Sequence, residues 1–390
     1  MYKIQTLNEI SDIIHSQLSA DAYTVTRDEP VPDGILVRSA DMHTMELPES
    51  LLAIARAGAG VNNIPIEACS KKGIVVFNTP GANANAVAEL VIAGLLLCSR
   101  NIAGGIAWAA GLKGQGDAVP KLVEKGKGQF VGPELRGKTL GVIGLGAIGA
   151  LVANSALNGL GMEVIGLDPF ISVEHAWSLS RGIKRAASME ELLQKADYVT
   201  VHVPLTPKTK NMFDTALISH MKTGAHLLNF SRAELVDGEA CREALKTGQL
   251  SSYVTDFPTE DMLNVDKVVC IPHLGASTPE SEENCARMAA AQLRDYLEYG
   301  NIRNSVNMPE IVLAGQPEGY RILLIHENVP NMVSTISAAI SREGININNM
   351  LNKSRQEMAV TVMELSQIPT EELIGELSAL AGVIKVRWWR

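Results

Sequence analysis

Short apolar, β-branched runs alternate along most of the chain with longer stretches whose apolar positions recur at helical spacing, such as Ala84–Arg100, Ile148–Leu160 and Pro279–Tyr299. This alternation is typical of βαβ units, in which strands covered on both faces read as continuous apolar runs. The runs that predict strands are Ile35–Val37, Ile74–Phe77, Thr139–Ile143, Glu163–Leu167, Tyr198–Val203, Ala225–Phe230 and Val268–Ile271. We therefore expect an α/β protein with parallel sheets.

The distribution of these runs predicts the domains. Residues 93–276 carry enough strand–helix pairs for one doubly wound, Rossmann-like domain, and residues 1–92 with 277–309 predict a second, smaller one. Glycine and proline at residues 310–319 indicate a linker. Residues 320–390 predict a small βαββαβ domain. Its expected elements are Arg321–His326, Met332–Glu343, Ile345–Leu351, Met358–Leu365, Thr370–Leu380 and Val383–Trp388.

Composition and charge narrow the class of protein. The 390 residues are 46% hydrophobic and 20% charged, as in an ordinary soluble globular protein. A net charge of −9 argues against nucleic acid or an anionic membrane as the main partner, although a local arginine cluster could still bind a small anion. The N-terminus has no secretory signal pattern. The longest apolar stretch, Ala86–Cys98, contains Glu89 and is too short to span a bilayer.

The five cysteines are dispersed, with no CxxC pair. This usage favours reduced thiols, with neither disulfides nor a metal site, and hence a cytoplasmic protein.

A glycine-rich turn follows the predicted strand Thr139–Ile143. Its first glycine permits a tight turn, its second lets backbone approach a pyrophosphate, and its third allows close helix–strand packing. The N–H groups of the following helix can then bind phosphate. The motif residues are Gly144, Gly146, Ala147, Ile148 and Gly149.

The next predicted strand ends in Asp168, 22 residues after Gly146. A carboxylate there can bind the adenosine ribose hydroxyls and would repel a 2′-phosphate, which favours NAD over NADP. The plainer interpretation of Asp168 is a turn residue before Pro169. A glycine motif alone is weak evidence, and the strand–helix–strand context with a terminal acid strengthens it.

Three charged residues follow at predicted strand ends of the same domain: Arg232, Glu260 and His273. Oxidation of a 2-hydroxy acid needs a base for the hydroxyl proton, a cation for the carboxylate and a group that holds the base. Histidine, arginine and a carboxylate suit these tasks. Each residue alone is more often structural or a surface charge, and it is their order after the glycine motif that favours catalysis.

These motifs resemble those of the D-isomer-specific 2-hydroxyacid dehydrogenases over roughly residues 1–309. The resemblance implies that Arg232 binds the substrate carboxylate, that His273 is the acid/base and that Glu260 orients it. Two departures are Ala233, where the family usually has glycine, and an Asp256–Glu260 spacing one residue shorter than usual. Further cofactor contacts implied by the resemblance are His202, Val203, Pro204, Phe230, Ser231, Asp256, Gly275 and Ala276.

Turns rich in glycine and asparagine in the first domain resemble the substrate-binding motifs of the family's phosphoglycerate dehydrogenases. Backbone N–H groups in such turns can bind a carboxylate, and two arginines could bind a phosphate. The plainer alternative is that both arginines are surface residues. Asn62 stands where those enzymes have aspartate. The residues expected at the substrate are Arg38, Arg56, Gly58, Ala82 and Asn83, with Arg232 and His273.

The C-terminal βαββαβ pattern and the run Ile325–Pro330 resemble an ACT domain, a module that binds amino acids. In serine-inhibited dehydrogenases, the positions matching His326, Asn328 and Asn346 hold L-serine, and amide and imidazole groups suit such a ligand. Asn331 replaces the glycine usual after the proline. The alternative is a domain that only dimerises the chain, with Asn328 capping its helix.

The resemblance therefore implies an NAD-dependent enzyme, a homodimer or homotetramer, that oxidises 3-phospho-D-glycerate to 3-phosphohydroxypyruvate. It would do so in the biosynthesis of L-serine, under feedback by serine. A glyoxylate or hydroxypyruvate reductase is the alternative within the family. A corepressor on the same fold and a purely amino-acid-sensing protein are the non-enzymatic alternatives.

Overall fold

The computed structural model describes residues 1–313 and 319–390, and these form two compact units. The first unit contains residues 1–82 and 279–390, and the second contains residues 83–278. The predicted linker at 310–319 falls largely on residues 314–318, which lie outside the described part. The predicted three-domain division differs from these units in placing residues 320–390 by themselves.

The first unit begins with a five-stranded parallel sheet in the order β2-β1-β3-β4-β5. Its strands are Tyr2–Leu7 (β1), Tyr23–Thr26 (β2), Gly34–Val37 (β3), Ala53–Arg56 (β4) and Val75–Phe77 (β5). Helix α1 (Ile66–Lys71) connects the last two strands. All four residues of β3 are buried, which explains why its sequence reads as an uninterrupted apolar run.

The second unit is a seven-stranded parallel sheet in the order β12-β11-β10-β9-β6-β7-β8. Strand β6 has β7 on one side and β9 on the other, so the strand order reverses there, as at the ligand-binding edge of a doubly wound sheet. The strands are Thr139–Ile143 (β6), Glu163–Leu167 (β7), Lys184–Arg185 (β8), Tyr198–Val201 (β9), Ala225–Asn229 (β10), Leu250–Thr255 (β11) and Val268–Cys270 (β12).

Eight helices of the second unit accompany this sheet: Ala84–Ser99 (α2), Ile102–Ala110 (α3), Val119–Gly126 (α4), Ala147–Asn158 (α5), Val173–Ser178 (α6), Met189–Lys195 (α7), Thr215–Ser219 (α8) and Gly238–Thr247 (α9). Helix α2 runs unbroken across the predicted boundary at residue 92, and a Cβ added at Gly94 would lie 2.9 Å from the Phe230 ring. Because all of α2 packs within the second unit, this unit begins at residue 83.

One further feature of α2 concerns membranes. In the part of the chain that the structure describes, no single helix is long and apolar enough to cross a membrane. Helices α2 and α3, bent by 68° relative to each other, pass that test only as a pair, on length and composition.

The first unit resumes with α10 (Pro279–Tyr299) and ends in a four-stranded antiparallel sheet in the order β14-β15-β13-β16. We call residues 320–390 the C-terminal subdomain. Its elements are Tyr320–Glu327 (β13), Met332–Arg342 (α11), Ile347–Arg355 (β14), Met358–Leu365 (β15), Glu371–Ala379 (α12) and Val383–Trp389 (β16). The predicted βαββαβ order is therefore confirmed.

The two faces of the C-terminal sheet have different partners. One face, with Ile322 and Leu324, packs against α11 and α12. The other face, with Leu323, Ile325 and Val362, belongs to the hydrophobic core that α10 and the five-stranded sheet share. Both faces are thus covered within the first unit.

Hydrogen bonds fix the C-terminal subdomain to the last turn of α10. Arg387 donates to the carbonyl oxygens of Tyr296 and Leu297, at 3.3 and 3.0 Å, and Trp389 donates to Leu297 at 2.7 Å. The fully buried Arg321 donates to the carbonyl oxygen of Tyr299 at 2.9 Å. The last carbonyls of a helix have no partner within it and carry partial negative charge, so guanidinium groups suit them.

Candidate active site

The glycine motif forms the turn between β6 and α5, and two of its glycines cannot be replaced without a clash. Gly144 has φ +87°, and a Cβ there would lie 2.5 Å from the His202 carbonyl oxygen. A Cβ on Gly149 would lie 1.9 Å from the Gly144 carbonyl oxygen. Gly146 precedes the first turn of α5 without a side-chain cap, so the helix N–H groups remain available to an anionic ligand.

Asp168 ends β7 beside this turn. Its carboxylate accepts hydrogen bonds from the backbone N–H groups of Leu145, at 2.9 Å, and Phe170, at 2.8 Å. The acid is thereby held next to the glycine motif and remains half-buried. This is the geometry in which a carboxylate can bind a ribose placed by the glycine turn.

His202 follows β9 at the same edge of the sheet, ahead of Val203 and Pro204. Its Nε2 lies 3.0 Å from the Thr200 hydroxyl, while Nδ1 has no partner among the described residues. Burial lowers the pKa of His202 to about 3, so its ring is neutral near neutral pH.

The residues after β10 form the next part of this edge. Ser231 donates from its hydroxyl to the Val201 carbonyl oxygen at 2.8 Å, which ties the end of β10 to β9, and Phe230 is buried beneath it. Arg232 comes next and is exposed, with a side-chain hydrogen bond of 2.6 Å to the Ser231 carbonyl oxygen.

His273 lies in the turn after β12 and has the left-handed backbone conformation, with φ +42°. Its backbone N–H donates to the carbonyl oxygen of Asp256 at 2.9 Å and to that of Ile271 at 3.0 Å. The imidazole is exposed on one side and contacts the Phe257 ring on the other, with ring centroids 4.5 Å apart.

Phe257 also contacts the second charged residue of the site. The Arg232 guanidinium carbon lies 5.5 Å from the Phe257 ring centroid. The same ring therefore contacts both Arg232 and His273, which brings a guanidinium group and an imidazole together at one sheet edge. Phe257 was not predicted, because a single phenylalanine after an apolar strand reads as a core residue.

Asp256, at the end of β11, is 1% exposed. Its Oδ2 accepts a hydrogen bond from the Gly275 N–H at 3.2 Å, and its Oδ1 has no partner among the described residues. Burial raises the pKa of Asp256, and the Gly275 hydrogen bond and the charges of His273 and Arg232 oppose that rise.

Glu260 differs from its expected position. It is exposed, at the start of a single 3-10 turn (Glu260–Met262), and no hydrogen bond or ion pair joins it to His273 in the described part of the chain. The next residue, Asp261, forms an ion pair with Arg242 of α9, and this pair holds the turn against that helix. The role predicted for Glu260 stays a prediction.

In the first unit, the two arginines expected at the substrate already have partners. Arg38 forms an ion pair with Glu282 of α10 at 2.5 Å. Arg56 donates to the Arg38 carbonyl oxygen at 3.0 Å and to the Gly60 carbonyl oxygen, so its guanidinium fastens the turn that contains Gly58.

The other two residues expected at the substrate are consecutive in the sequence and lie on either side of a boundary between the two units. Ala82 ends the first segment of the first unit, and Asn83 opens the second unit. Asn83 precedes α2 without a side-chain cap hydrogen bond.

Each of the three residues expected to bind serine has a side-chain hydrogen bond within the C-terminal subdomain. His326 is buried, with Nδ1 2.8 Å from the Glu327 carbonyl oxygen and Nε2 2.8 Å from the Thr361 hydroxyl. The Asn328 side chain donates to the Gln356 carbonyl oxygen, and that of Asn346 donates to Asn348. Of these three residues, only the two asparagines are exposed.

Asn331 precedes α11 with φ +67°. This left-handed conformation favours glycine, and asparagine is among the residues that adopt it most readily. The turn therefore keeps its backbone shape without the glycine.

Comparisons with known proteins identify the family of the chain. Residues 94–275 match the model of the D-isomer specific 2-hydroxyacid dehydrogenase, NAD binding domain. The chain is 32% identical to the D-3-phosphoglycerate dehydrogenase of Haemophilus influenzae over 90% of its own length and 85% of that protein's. For the enzyme of the same name from Escherichia coli K12, identity is 34% over 87% and 82%.

A third relative is longer than this chain. Identity to the D-3-phosphoglycerate dehydrogenase of Methanocaldococcus jannaschii is 36% over 84% of this chain, which spans only 62% of that protein. Among solved structures, NAD+-bound 3-phosphoglycerate dehydrogenase of Entamoeba histolytica matches with a TM-score of 0.58 and 28% identity, covering 78% of this chain and 98% of that one.

Proposed function

The chain belongs to the D-isomer-specific 2-hydroxyacid dehydrogenase family of NAD-dependent enzymes, and on that premise we propose that it oxidises 3-phospho-D-glycerate to 3-phosphohydroxypyruvate. The observation that carries the proposal is that Arg232 and His273 both contact the ring of Phe257. The substrate follows from the relatives, since three of them at 32–36% identity are D-3-phosphoglycerate dehydrogenases.

The second unit fits NAD. A Cβ on Gly146 would have no other atom within 4 Å, so the backbone at the start of α5 is open to a ligand, and Asp168 is hydrogen-bonded to the same turn. Two buried polar atoms at the same sheet edge, His202 Nδ1 and Asp256 Oδ1, lack partners among the described residues and are available to a ligand. We propose that the remaining predicted contacts, from Val203 to Ala276, line the same site.

Arg232 and His273 have different roles in the proposed reaction. Arg232 binds the substrate carboxylate and fixes the adjacent C2 carbon. His273 accepts the proton of the C2 hydroxyl as the C2–O bond becomes double. When bound at the glycine motif, NAD+ would supply the acceptor for the hydride, that is, the C2 hydrogen with both electrons of its bond. The imidazole then releases the proton to solvent, which its exposure permits.

A reductase acting on glyoxylate or hydroxypyruvate is the second candidate. The observation in its favour is that Arg38 is paired with Glu282 and Arg56 with backbone carbonyl oxygens. A phosphate would have to compete with those partners. An acid without a phosphate needs neither arginine.

The test is NADH formation at alkaline pH from 3-phospho-D-glycerate, D-glycerate and D-lactate. Our proposal requires turnover that is greatest on the phosphorylated acid. It also requires Arg56→Gln to raise KM for that acid while leaving KM for D-glycerate unchanged. Greater turnover on an unphosphorylated acid, with no effect of Arg56→Gln, would support the reductase instead.

We further propose that the C-terminal subdomain is an ACT-like domain that binds L-serine at His326, Asn328 and Asn346, with the two hydrogen bonds of His326 holding the end of β13 just before Asn328. Millimolar L-serine should then inhibit the wild type, and Asn346→Ala should lose that inhibition and keep its activity. Inhibition that is absent in the wild type would limit the subdomain to assembly.

For assembly and location, we propose a homodimer or homotetramer in the cytoplasm. Light scattering after gel filtration measures the subunit number directly. The five cysteines are free and four of them are buried, which suits a reducing compartment.

A further inference from the structure

The imidazole of His273 has few contacts within the second unit. The backbone N–H of this residue donates two hydrogen bonds, but neither ring nitrogen forms a hydrogen bond with a residue in the described part of the chain. The ring contact that the structure gives it is with Phe257, whose ring centroid lies 4.5 Å from that of the imidazole and whose plane is tilted by 42°. The orientation of the imidazole therefore depends on packing against the Phe257 ring.

The Arg232 guanidinium depends on the same ring. Arg232 is exposed, and its side-chain hydrogen bond of 2.6 Å goes to the carbonyl oxygen of the preceding residue, Ser231. Its central carbon lies 5.5 Å from the Phe257 ring centroid, within the distance of about 6 Å at which a cation is attracted to an aromatic face. Such a contact orders the guanidinium without using the N–H groups that bind a carboxylate.

Phe257 is itself held in place by the fold. It follows β11, its backbone N–H donates to the Thr255 hydroxyl at 3.0 Å, and the residue is half-buried. Phe257 lines a cavity of about 160 Å³ together with Ala233 and the buried residues Tyr253 and Met262. The cavity adjoins the ring, so there is room for a larger aromatic side chain at position 257.

We propose that Phe257 is a positioning residue of the reaction: its ring orients the His273 imidazole towards the C2 hydroxyl and the Arg232 guanidinium towards the substrate carboxylate. In a 2-hydroxy acid, the carbon that carries the hydroxyl is bonded directly to the carboxylate carbon. The base and the cation must therefore be held at a fixed separation, and contact with one ring provides it. The inference rests on the proposed roles of Arg232 and His273 and does not depend on which 2-hydroxy acid is the substrate.

The experiment measures kcat, KM for the 2-hydroxy acid and KM for NAD+ in the full-length protein. Phe257→Leu keeps an apolar side chain and removes the ring. We expect kcat to fall about tenfold or more, because a displacement of about 1 Å can cost about 100-fold in rate. KM for the acid should rise about two- to fivefold, as for loss of an exposed cation–π contact. KM for NAD+ should not change, because the glycine motif and Asp168 are untouched.

Two conservative variants test whether the aromatic ring is what matters. Phe257→Tyr keeps the ring, and Phe257→Trp offers the aromatic side chain that binds cations best. The adjoining cavity has room for the larger side chain. Both variants should recover most of the kcat that Phe257→Leu loses, and KM for the acid should be no higher in Phe257→Trp than in the wild type. A purely structural role does not predict this order.

Two further measurements separate the effects. Phe213→Leu is the matched control, since it removes a fully buried ring of the same unit that contacts neither Arg232 nor His273 in the described part of the chain. It should lower the urea midpoint and leave kcat and both KM values unchanged. In an Arg232→Gln background, Phe257→Leu should lower kcat but raise KM for the acid no further, because the cation that the ring orients is absent.

Three results would overturn the proposal. The first is a Phe257→Leu enzyme with the kcat and KM of the wild type, and the second is an equal loss of kcat in Phe213→Leu. The third is a loss of kcat in Phe257→Tyr and Phe257→Trp as large as in Phe257→Leu. If the wild type does not oxidise 3-phospho-D-glycerate, the variants are measured with whichever 2-hydroxy acid it does oxidise, so failure of the proposed substrate is seen separately.

Discussion

Replacing Arg387 by alanine should loosen the C-terminal subdomain from α10 and lower the stability of the first unit. The Arg387 guanidinium donates two hydrogen bonds to the end of α10, and its central carbon lies 4.8 Å from the Tyr296 ring centroid and 4.5 Å from that of Trp389. The variant removes all of these contacts and leaves two helix carbonyl oxygens without this donor.

The magnitude follows from these contacts. A hydrogen bond from a charged donor contributes about 1.5–3 kcal/mol when well formed, and a cation–π contact about 0.5–2 kcal/mol. Arg387 is half-buried, and its longer hydrogen bond, 3.3 Å, is weak. Ordering the side chain also costs about 2 kcal/mol of entropy. We therefore expect a net loss of about 3 kcal/mol.

Urea unfolding followed by tryptophan fluorescence is the assay, because Trp389 is 8% exposed and lies in this contact. The matched control is Arg342→Ala, which breaks an ion pair with Glu376 whose side chains are 67% and 36% exposed. Surface pairs contribute about 0–1 kcal/mol. Equal unfolding midpoints for the two variants would refute the inference that the end of α10 holds the subdomain.

Three further predictions concern the second unit. Gly149→Ala needs space that the Gly144 carbonyl oxygen occupies, so we expect NAD binding to be lost in a fluorescence titration, and unaltered binding would contradict the cofactor assignment. Asp168→Ser should raise kcat/KM with NADP relative to NAD, and an unchanged ratio would remove the ribose role. Burial lowers the pKa of His226 to about 4 in the folded protein, whereas in the unfolded chain it is about 6.5. As the pH falls, the unfolded chain therefore binds a proton before the folded protein does. The free energy of unfolding that this histidine contributes above about pH 6.5 is lost as the pH falls towards 4. The urea midpoint should therefore fall less over this range in His226→Gln, whereas a control variant at the exposed His220, His220→Gln, should behave as the wild type does.

The sequence predicts strands well where the apolar run is continuous and poorly where polar residues interrupt it. Strand β6 has its predicted bounds because its apolar run is continuous. Strand β11 was not predicted, because it begins Leu-Ser-Ser and reads as polar. Ser252 is nevertheless buried there, since its hydroxyl pairs with the His226 ring at 2.7 Å. Strands β1 and β2 were missed because they lie towards one side of their sheet and carry exposed polar residues.

At the site, the sequence indicates which residues end strands and cannot indicate how the following loop turns. The glycine motif and Asp168 lie together because both directly follow neighbouring parallel strands. Glu260 is four residues beyond Asp256, and the direction of that segment depends on the ion pair between Asp261 and Arg242, which only the fold brings together.

The divided chain of the first unit has a consequence for the order of folding during synthesis. Residues 83–278 form one continuous segment and can fold while the chain beyond them is still being made. Residues 1–82 cannot complete their core until α10 arrives: the Tyr2 hydroxyl, for example, bonds to the carbonyl oxygen of Leu297, 295 positions later. Contacts that distant in sequence form slowly. Residues 1–82, although synthesised first, should therefore remain accessible to proteases and chaperones until α10 has been made.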